Sequence, residues 1–270
     1  MTQVLLSNKN VRVLILVVLA IVVISYYRAD LGVDTKFDDA RAEMVRYLAE
    51  EKGINDTRVL EVMGEVPRHL FICPWLIDAN IAEQNPVIDY QLPHDLLEKE
   101  AYSDHGLPIA EGQSISSPYV VALMTQALRL NGTERVLEIG SGSGYQAAVL
   151  AELSEEVYTV EIREILAVGA GKRLRILGYS NVEVKHDDGY FGWSEHAPYD
   201  AIIITCAVNH VPVYLLQQLK DGGRMVLPLG STEYYQIITL IEKRGDEVLV
   251  NYITKANFVP MVGEATKSGG

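Results

Sequence analysis

The chain has 270 residues, enough for one large α/β domain or two small ones. Its formal net charge is −13, which argues against a nucleic-acid partner, because phosphate binding needs a basic surface. Two distant cysteines, Cys73 and Cys206, and six histidines without metal-ligand spacing point to neither a disulfide framework nor a metal site.

The first element read along the chain is not globular in character. Val13 to Tyr27 carries no charge and is almost wholly apolar, and Arg12 and Arg28 bracket it. With Val11 and a snorkelling Arg12 it reaches about seventeen residues, the short end of what spans a bilayer. Tyr26 and Tyr27 would sit at an interface. Residues 1–30 therefore read as a single-pass membrane anchor. A cleaved signal peptide and a buried helix are the other readings; Ser25 to Asp30 makes a poor cleavage site. The flanking basic residues are nearly balanced and leave the side of the membrane open.

Asp34 or Thr35 can cap a helix to about Lys52, with an apolar stripe of Phe37, Ala40, Met44, Tyr47 and Leu48. A short helix follows Asp56 and stops at Gly64. From Val66 to Glu111, prolines at 67, 74, 86, 93 and 108 leave loops and short extended pieces, as in a functional segment or lid. From Ser117 the pattern becomes regular. Helices are predicted at about 120–130, 144–153, 164–177 and 213–219. Strands are predicted at about 135–139, 157–162, 182–184, 201–205 and 225–229. Strands alternating with helices, several apolar throughout, predict an α/β, Rossmann-like fold with a parallel sheet covered on both faces. Tyr235 to Glu242 and Val248 to Ile253 predict a C-terminal β-hairpin. The division expected is residues 1–30, an N-terminal substrate-side region 31–116, and a nucleoside-cofactor core 117–270.

The cofactor signal is Val136-Leu-Glu-Ile-Gly-Ser-Gly-Ser-Gly-Tyr145, placed between a strand and a helix. Gly140, Gly142 and Gly144, with Ser141 between the first two, allow a tight turn and close approach of a ligand. Glu138 ends the first strand. Glu161 ends the second, where a carboxylate can take both ribose hydroxyls. Asp188-Gly189 follows the third, where a carboxylate can accept from an adenine amino group. No Lys or Arg lies from Val136 to Ser154, and the carboxylates would repel a pyrophosphate but suit a sulfonium cation. S-adenosylmethionine is favoured over a dinucleotide.

Ala101-Tyr-Ser-Asp-His-Gly-Leu-Pro-Ile-Ala-Glu-Gly-Gln-Ser-Ile-Ser-Ser-Pro-Tyr119 closely resembles a segment of protein-L-isoaspartate O-methyltransferases, of the form A-Y-x-D-x-x-L-P-I-x-x-G-Q-[ST]-I-S-x-P-Y. Pro67 to Phe71, Asp188 to Trp193, Ala197 to Asp200, Leu219 to Arg224, Leu227 to Gly230 and Phe258 to Pro260 extend the resemblance over about Phe37 to Gly263. It implies S-adenosylmethionine-dependent methylation of the displaced α-carboxylate of L-isoaspartyl residues in damaged proteins and peptides. The ester then closes to a succinimide whose hydrolysis returns some aspartate. The resemblance implies Ser116 as the active-site serine, and Gly140 to Gly144, Glu161 and Asp188 as cofactor positions; Ser114 and Gly189 adjoin them. A carboxylate is already a nucleophile at neutral pH, so positioning and a dry site suffice. Ser116 can alternatively cap the helix that begins at Pro118.

Thr205-Cys-Ala-Val-Asn209 departs from the family's usual Thr-Ala-Ala-Ala-Pro run, and Ala110 replaces a usual glycine. Both bear on substrate choice. Cys206 with His210 has the residue types of a nucleophile pair; a small buried cysteine and a surface histidine is the simpler reading. Two further functions stay open: a methyltransferase for another carboxylate or modified peptide, and a non-catalytic membrane-tethered binding module. S-adenosylmethionine supply inside cells favours a cytoplasmic catalytic domain.

Overall fold

The computed structural model describes residues 35–72, 97, 100–231 and 233–266. The apolar segment 13–27, and with it the anchor expected for residues 1–30, lies outside them. Among the described residues no helix is long and apolar enough to cross a membrane.

Two helices open the described chain, α1 (Thr35–Glu50) and α2 (Thr57–Glu65). Asp56 caps α2 by accepting from the amides of Arg58 and Val59, satisfying donors that the first turn leaves free. Helix α2 runs one residue past Gly64, where the sequence pattern stops it. Pro67 to Phe71 leads into a short turn of helix, α3 (His69–Ile72). Phe71 then meets the ring of Tyr145 edge-on at 5.5 Å.

Further along the described chain a small antiparallel pair forms, β1 (Leu107–Pro108) with β2 (Ser114–Ile115). Helix α4 (Pro118–Leu128) follows at once. Its cap is Ser117, whose side chain accepts from the Val120 amide, with Pro118 in the first turn where its missing N–H costs nothing. Ser116 is therefore not the capping residue.

The core then alternates: β3 (Arg135–Ile139), α5 (Tyr145–Ala151), β4 (Glu156–Glu161), α6 (Glu164–Ile176), β5 (Val182–His186), β6 (Tyr199–Ile204), α7 (Val213–Gln218) and β7 (Leu219–Gly230). Strands β8 (Gln236–Arg244) and β9 (Glu247–Ala256) form the terminal hairpin. Strands β3 to β9 form a seven-stranded sheet in the order β5-β4-β3-β6-β7-β8-β9, apart from the β1–β2 pair. β5 through β7 are parallel, and β8 and β9 are antiparallel to their neighbours. β7 starts at Leu219, earlier than its apolar run, because it continues directly from α7.

Apolar alternation puts Val136, Val157, Ile203 and Val226 on one face, beneath α4, α5 and α6. Leu137, Val160, Ile202 and Met225 cover the other, with Leu215 of α7. Burial of a side chain such as Ile203 contributes roughly 1.5–3 kcal/mol. β3 pairs with β4 on one side and β6 on the other, so the chain reverses its winding between β3 and β6. The carboxyl ends of these strands flank a topological switch point, the place where such sheets bind ligands.

Candidate active site

A cleft opens at that switch point, walled by the turn after β3, the ends of β4 and β6, and the segment from Gln113 to Ser116. The turn after β3 forms its floor. The Gly140 amide donates to Val160 O at 2.8 Å, and the Thr205 hydroxyl donates to Gly140 O at 2.7 Å. Gly140 has φ 100°, and a Cβ there would come within 2.5 Å of Thr205 Oγ1. Only glycine fits this junction between β3 and β6.

Glu161 stands at the end of β4, only 6 % exposed, and lines the cleft. Its Oε2 accepts from the Gly142 amide at 2.9 Å and its Oε1 from the Arg163 amide at 3.0 Å. An ionised carboxylate has about four acceptor sites, so both oxygens keep capacity for a ligand's hydroxyls. The same bonds hold the glycine turn in shape. Ser141, also on the cleft wall, is fixed behind by a 2.7 Å hydroxyl contact with Thr159.

Ser114, Ser116, Gly140, Ser141, Gly142, Glu161 and Gly189 are brought together around the cleft. Three other expected residues lie off its wall. Gly144 sits beneath, at φ 88°, where a Cβ would press within 3.3 Å of Ala170 on α6; it allows α5 and α6 to pack closely. Asp188 is anchored to the backbone: Oδ1 accepts from the Tyr190 amide and Oδ2 from the Glu264 amide at 2.7 Å, each oxygen keeping a further acceptor site. It shapes the wall that Gly189 forms.

Glu138 is fully buried within β3, and neither carboxyl oxygen has a hydrogen-bond partner among the described residues. Burial pushes it up to about 8, the Thr159 hydroxyl opposing and the Glu161 charge adding to the rise. At neutral pH it is largely protonated. The charge that disfavours a pyrophosphate therefore comes from Glu161, not from Glu138.

Several wall residues lie outside the set that the sequence marks as site residues. Gln113 hangs from the β1–β2 turn, with its amide donating to Glu111 O at 3.1 Å. Arg163 lies at the mouth, 3.4 Å from Glu111. Gln146, Thr205 and Val259 to Val262 complete the cleft. The last stretch is tied to the end of β6 by Ala207 N to Val259 O and Met261 N to Ala207 O, each 2.8 Å. Phe258 to Pro260 matches the family pattern, which was the available signal.

Cys206 also lines the cleft, but enclosure, together with the Glu161 and Asp188 charges, pushes its thiol up and keeps it from acting as a thiolate. His210 is held elsewhere, Nε2 at 3.0 Å from the Tyr190 hydroxyl and Nδ1 at 2.6 Å from Asn209 Oδ1. The two are not a nucleophile pair.

The donor set fits a cationic nucleoside cofactor. The buried Glu161 carboxylate lines the cleft, and Arg163, the one basic side chain on its wall among the described residues, is paired with Glu111. Fold and cleft together define a Rossmann-like methyltransferase of the S-adenosylmethionine-dependent class. The family model for protein-L-isoaspartate(D-aspartate) O-methyltransferase matches residues 78–266. The chain belongs to that family. A protein-L-isoaspartate O-methyltransferase 2 of Shewanella sediminis is 51% identical over 239 residues, 88% of this chain and 89% of the relative. A protein-L-isoaspartate O-methyltransferase 1 of Cupriavidus necator is 46% identical over 244 residues, 85% of this chain and 86% of its own length. A solved protein-L-isoaspartate O-methyltransferase superposes with TM-score 0.70 at 28% identity, covering 83% of this chain and 67% of that one. A Plasmodium falciparum structure in complex with S-adenosyl-L-homocysteine superposes with TM-score 0.65 at 21% identity, covering 82% and 98%, a likeness of fold. The chain is an S-adenosylmethionine-dependent carboxyl O-methyltransferase of protein repair, acting on L-isoaspartyl residues.

Proposed function

We propose that Ser116 positions the isoaspartyl carboxylate, while Glu161 and the glycine turn hold the cofactor. The observation that carries this reading is the placement of Ser116. It lines the cleft opposite the β3 and β4 ends, and Ser117 takes the capping role that would otherwise explain it. When bound, S-adenosylmethionine supplies an electrophilic methyl group. The substrate carboxylate needs no base at neutral pH, so this chain contributes orientation. The Ser116 hydroxyl donates to one carboxylate oxygen and leaves the other aimed at the methyl. Glu161 accepts from the ribose hydroxyls with the lone pairs that Gly142 and Arg163 leave free. Gln113 and Ser114, on the β1–β2 turn, help to exclude water.

Ser116→Ala is expected to lower kcat about tenfold, the effect of one hydrogen bond to a charged group, with cofactor Kd changed less than twofold. Turnover on an isoaspartyl peptide and calorimetric titration with S-adenosylmethionine measure the two separately. Wild-type turnover with lowered stability would assign Ser116 a purely structural role.

The same proposal includes place. Residues 13–27 act as a single-pass anchor, supported by their uncharged apolar run. The catalytic domain then faces the cytoplasm, where S-adenosylmethionine is made. Protease added to intact spheroplasts is expected to spare the domain. Digestion without lysis would reverse the topology, and recovery in the soluble fraction would remove the anchor.

A further inference from the structure

Ser116 stands alone between two elements: β2 ends at Ile115, and Ser117 caps α4. Its hydroxyl makes no hydrogen bond among the described residues, so the backbone on either side fixes where it points. One stretch of chain holds both sides. Leu107 pairs with Ile115 in the β1–β2 ladder. Just upstream, Asp104 Oδ1 accepts from the Tyr119 amide at 2.9 Å. Residues 104–107 therefore bracket Ser116 from before and after.

The bond to Asp104 is the stronger tie at the start of α4. Pro118 has no N–H, and the Val120 amide reaches Ser117 Oγ only at 3.4 Å. Hydrogen bonds to an ionised acceptor are roughly twice as strong as neutral ones, and negative charge suits a helix N-terminus. The other oxygen, Asp104 Oδ2, lies 3.1 Å from Lys52 Nζ. The same ammonium stands 4.7 Å from the centre of the Tyr119 ring. Lys52 thus touches both partners of the bond. It sits in the elbow between α1 and α2, and α4 holds that elbow in turn: Gln126 Oε1 accepts from the Asn55 and Asp56 amides at 2.7 and 2.9 Å. Asp104 is 15 % exposed and Lys52 30 %, and a partly buried pair is screened less than one in open water.

We infer that Asp104, clamped by Lys52, is a positioning residue for methyl transfer, fixing the first turn of α4 and through it the direction in which Ser116 offers its hydroxyl to the substrate carboxylate. The inference rests on Ser116 as the residue that aims that carboxylate. Neither Asp104 nor Lys52 lines the cleft, so both act through the backbone from Ser116 to Tyr119. A misplacement on the order of 1 Å is enough to lower turnover. The α1–α2 elbow is then a brace for the reactive centre as well as a part of the fold.

The test is a double-mutant cycle on the full chain, read as turnover of an isoaspartyl peptide at saturating peptide and S-adenosylmethionine. Asp104→Ala alone is expected to lower kcat about five- to tenfold, bounded by the Ser116→Ala loss through which it acts, with cofactor Kd changed less than about twofold. In the Ser116→Ala background the same substitution is expected to lower kcat by less than about twofold, because the hydroxyl it aims is gone. Asp104→Asn keeps an acceptor for the Tyr119 amide and loses the charge that faces Lys52. It and Lys52→Met are each expected to lower kcat about two- to threefold, and together no further than either alone. These milder variants carry the cycle if circular dichroism shows Asp104→Ala to be unfolded. Equal losses with and without the Ser116 hydroxyl overturn the inference and leave Asp104 as a support of the fold. Unchanged kcat in a folded Asp104→Ala overturns it too. Ser116→Ala at full turnover overturns the reading of Ser116 itself, and the inference with it, so that single variant tells the two failures apart.

Discussion

Glu138→Gln is expected to alter the pH dependence of stability more than any other single substitution in the described chain. The Glu138 carboxyl titrates near 4.5 in an unfolded chain and near 8 in the fold, chiefly because burial disfavours its charge. Between these values the folded protein holds a proton that the unfolded chain has released. The stability associated with the protonated group is therefore fully present below about 4.5 and is lost as pH rises through about 8. The full span sets a ceiling of about 5 kcal/mol. Relaxation of the site brings the expected effect to ~3 kcal/mol. Glutamine cannot titrate, so the variant escapes this loss. Its amide also lacks partners, which adds a constant offset at every pH. The measurable quantity is therefore a slope. Urea unfolding without added cofactor should show the variant gaining on the parent by ~3 kcal/mol between pH 4.5 and 8.5. A difference that stays flat across this range would mean that Glu138 is charged throughout and has found a partner.

Glu161→Ala is expected to weaken S-adenosylmethionine binding by roughly 2–3 kcal/mol, a factor of about 30 to 150. Two losses combine. The carboxylate no longer accepts from the ribose hydroxyls. The amides of Gly142 and Arg163, which it holds at 2.9 and 3.0 Å, also lose their acceptor. The glycine turn then loosens on its ligand side, although Thr205 still holds Gly140 from behind. Glu161→Gln separates the parts, because its amide oxygen can replace one acceptor site but not both. It should recover about half of the lost binding energy. Calorimetric titration of both variants checks this. A folded Glu161→Ala with unchanged affinity would remove the residue from the cofactor site and leave it as a support for the turn.

Much of the architecture is local, and to that extent legible in the residues alone. Continuous apolar runs such as Ala201 to Ile204 have no polar face to show water, so they predict strands covered on both sides. The glycine turn after Ile139 is equally local, since close backbone approach needs residues without a Cβ. Gly140, Ser141, Gly142, Glu161 and Gly189 reach one cleft because each ends or follows a parallel strand at its carboxyl end, and the small β1–β2 pair brings Ser114 and Ser116 to the same place.

Tertiary packing decided the rest. The sequence allows Ser116 as a cap of α4, but the bond goes to Ser117, directly before Pro118 at the first helical position. Glu138 looks like a site carboxylate because it nearly ends its strand, yet its side of the pleat faces the covered sheet, and burial neutralises it. Asp188 occupies the expected position, and the returning chain, which brings the Glu264 amide to its Oδ2, is a contact that only the fold supplies. That return, with Val259 to Val262 closing the cleft, joins segments some fifty residues apart from the end of β6. No periodicity encodes such a contact. Residue types and spacing determined which side chains carry the chemistry. Which of them face the ligand depended on contacts distant in sequence, where the same carboxyl group is an acceptor in a cleft or a neutral acid in a core.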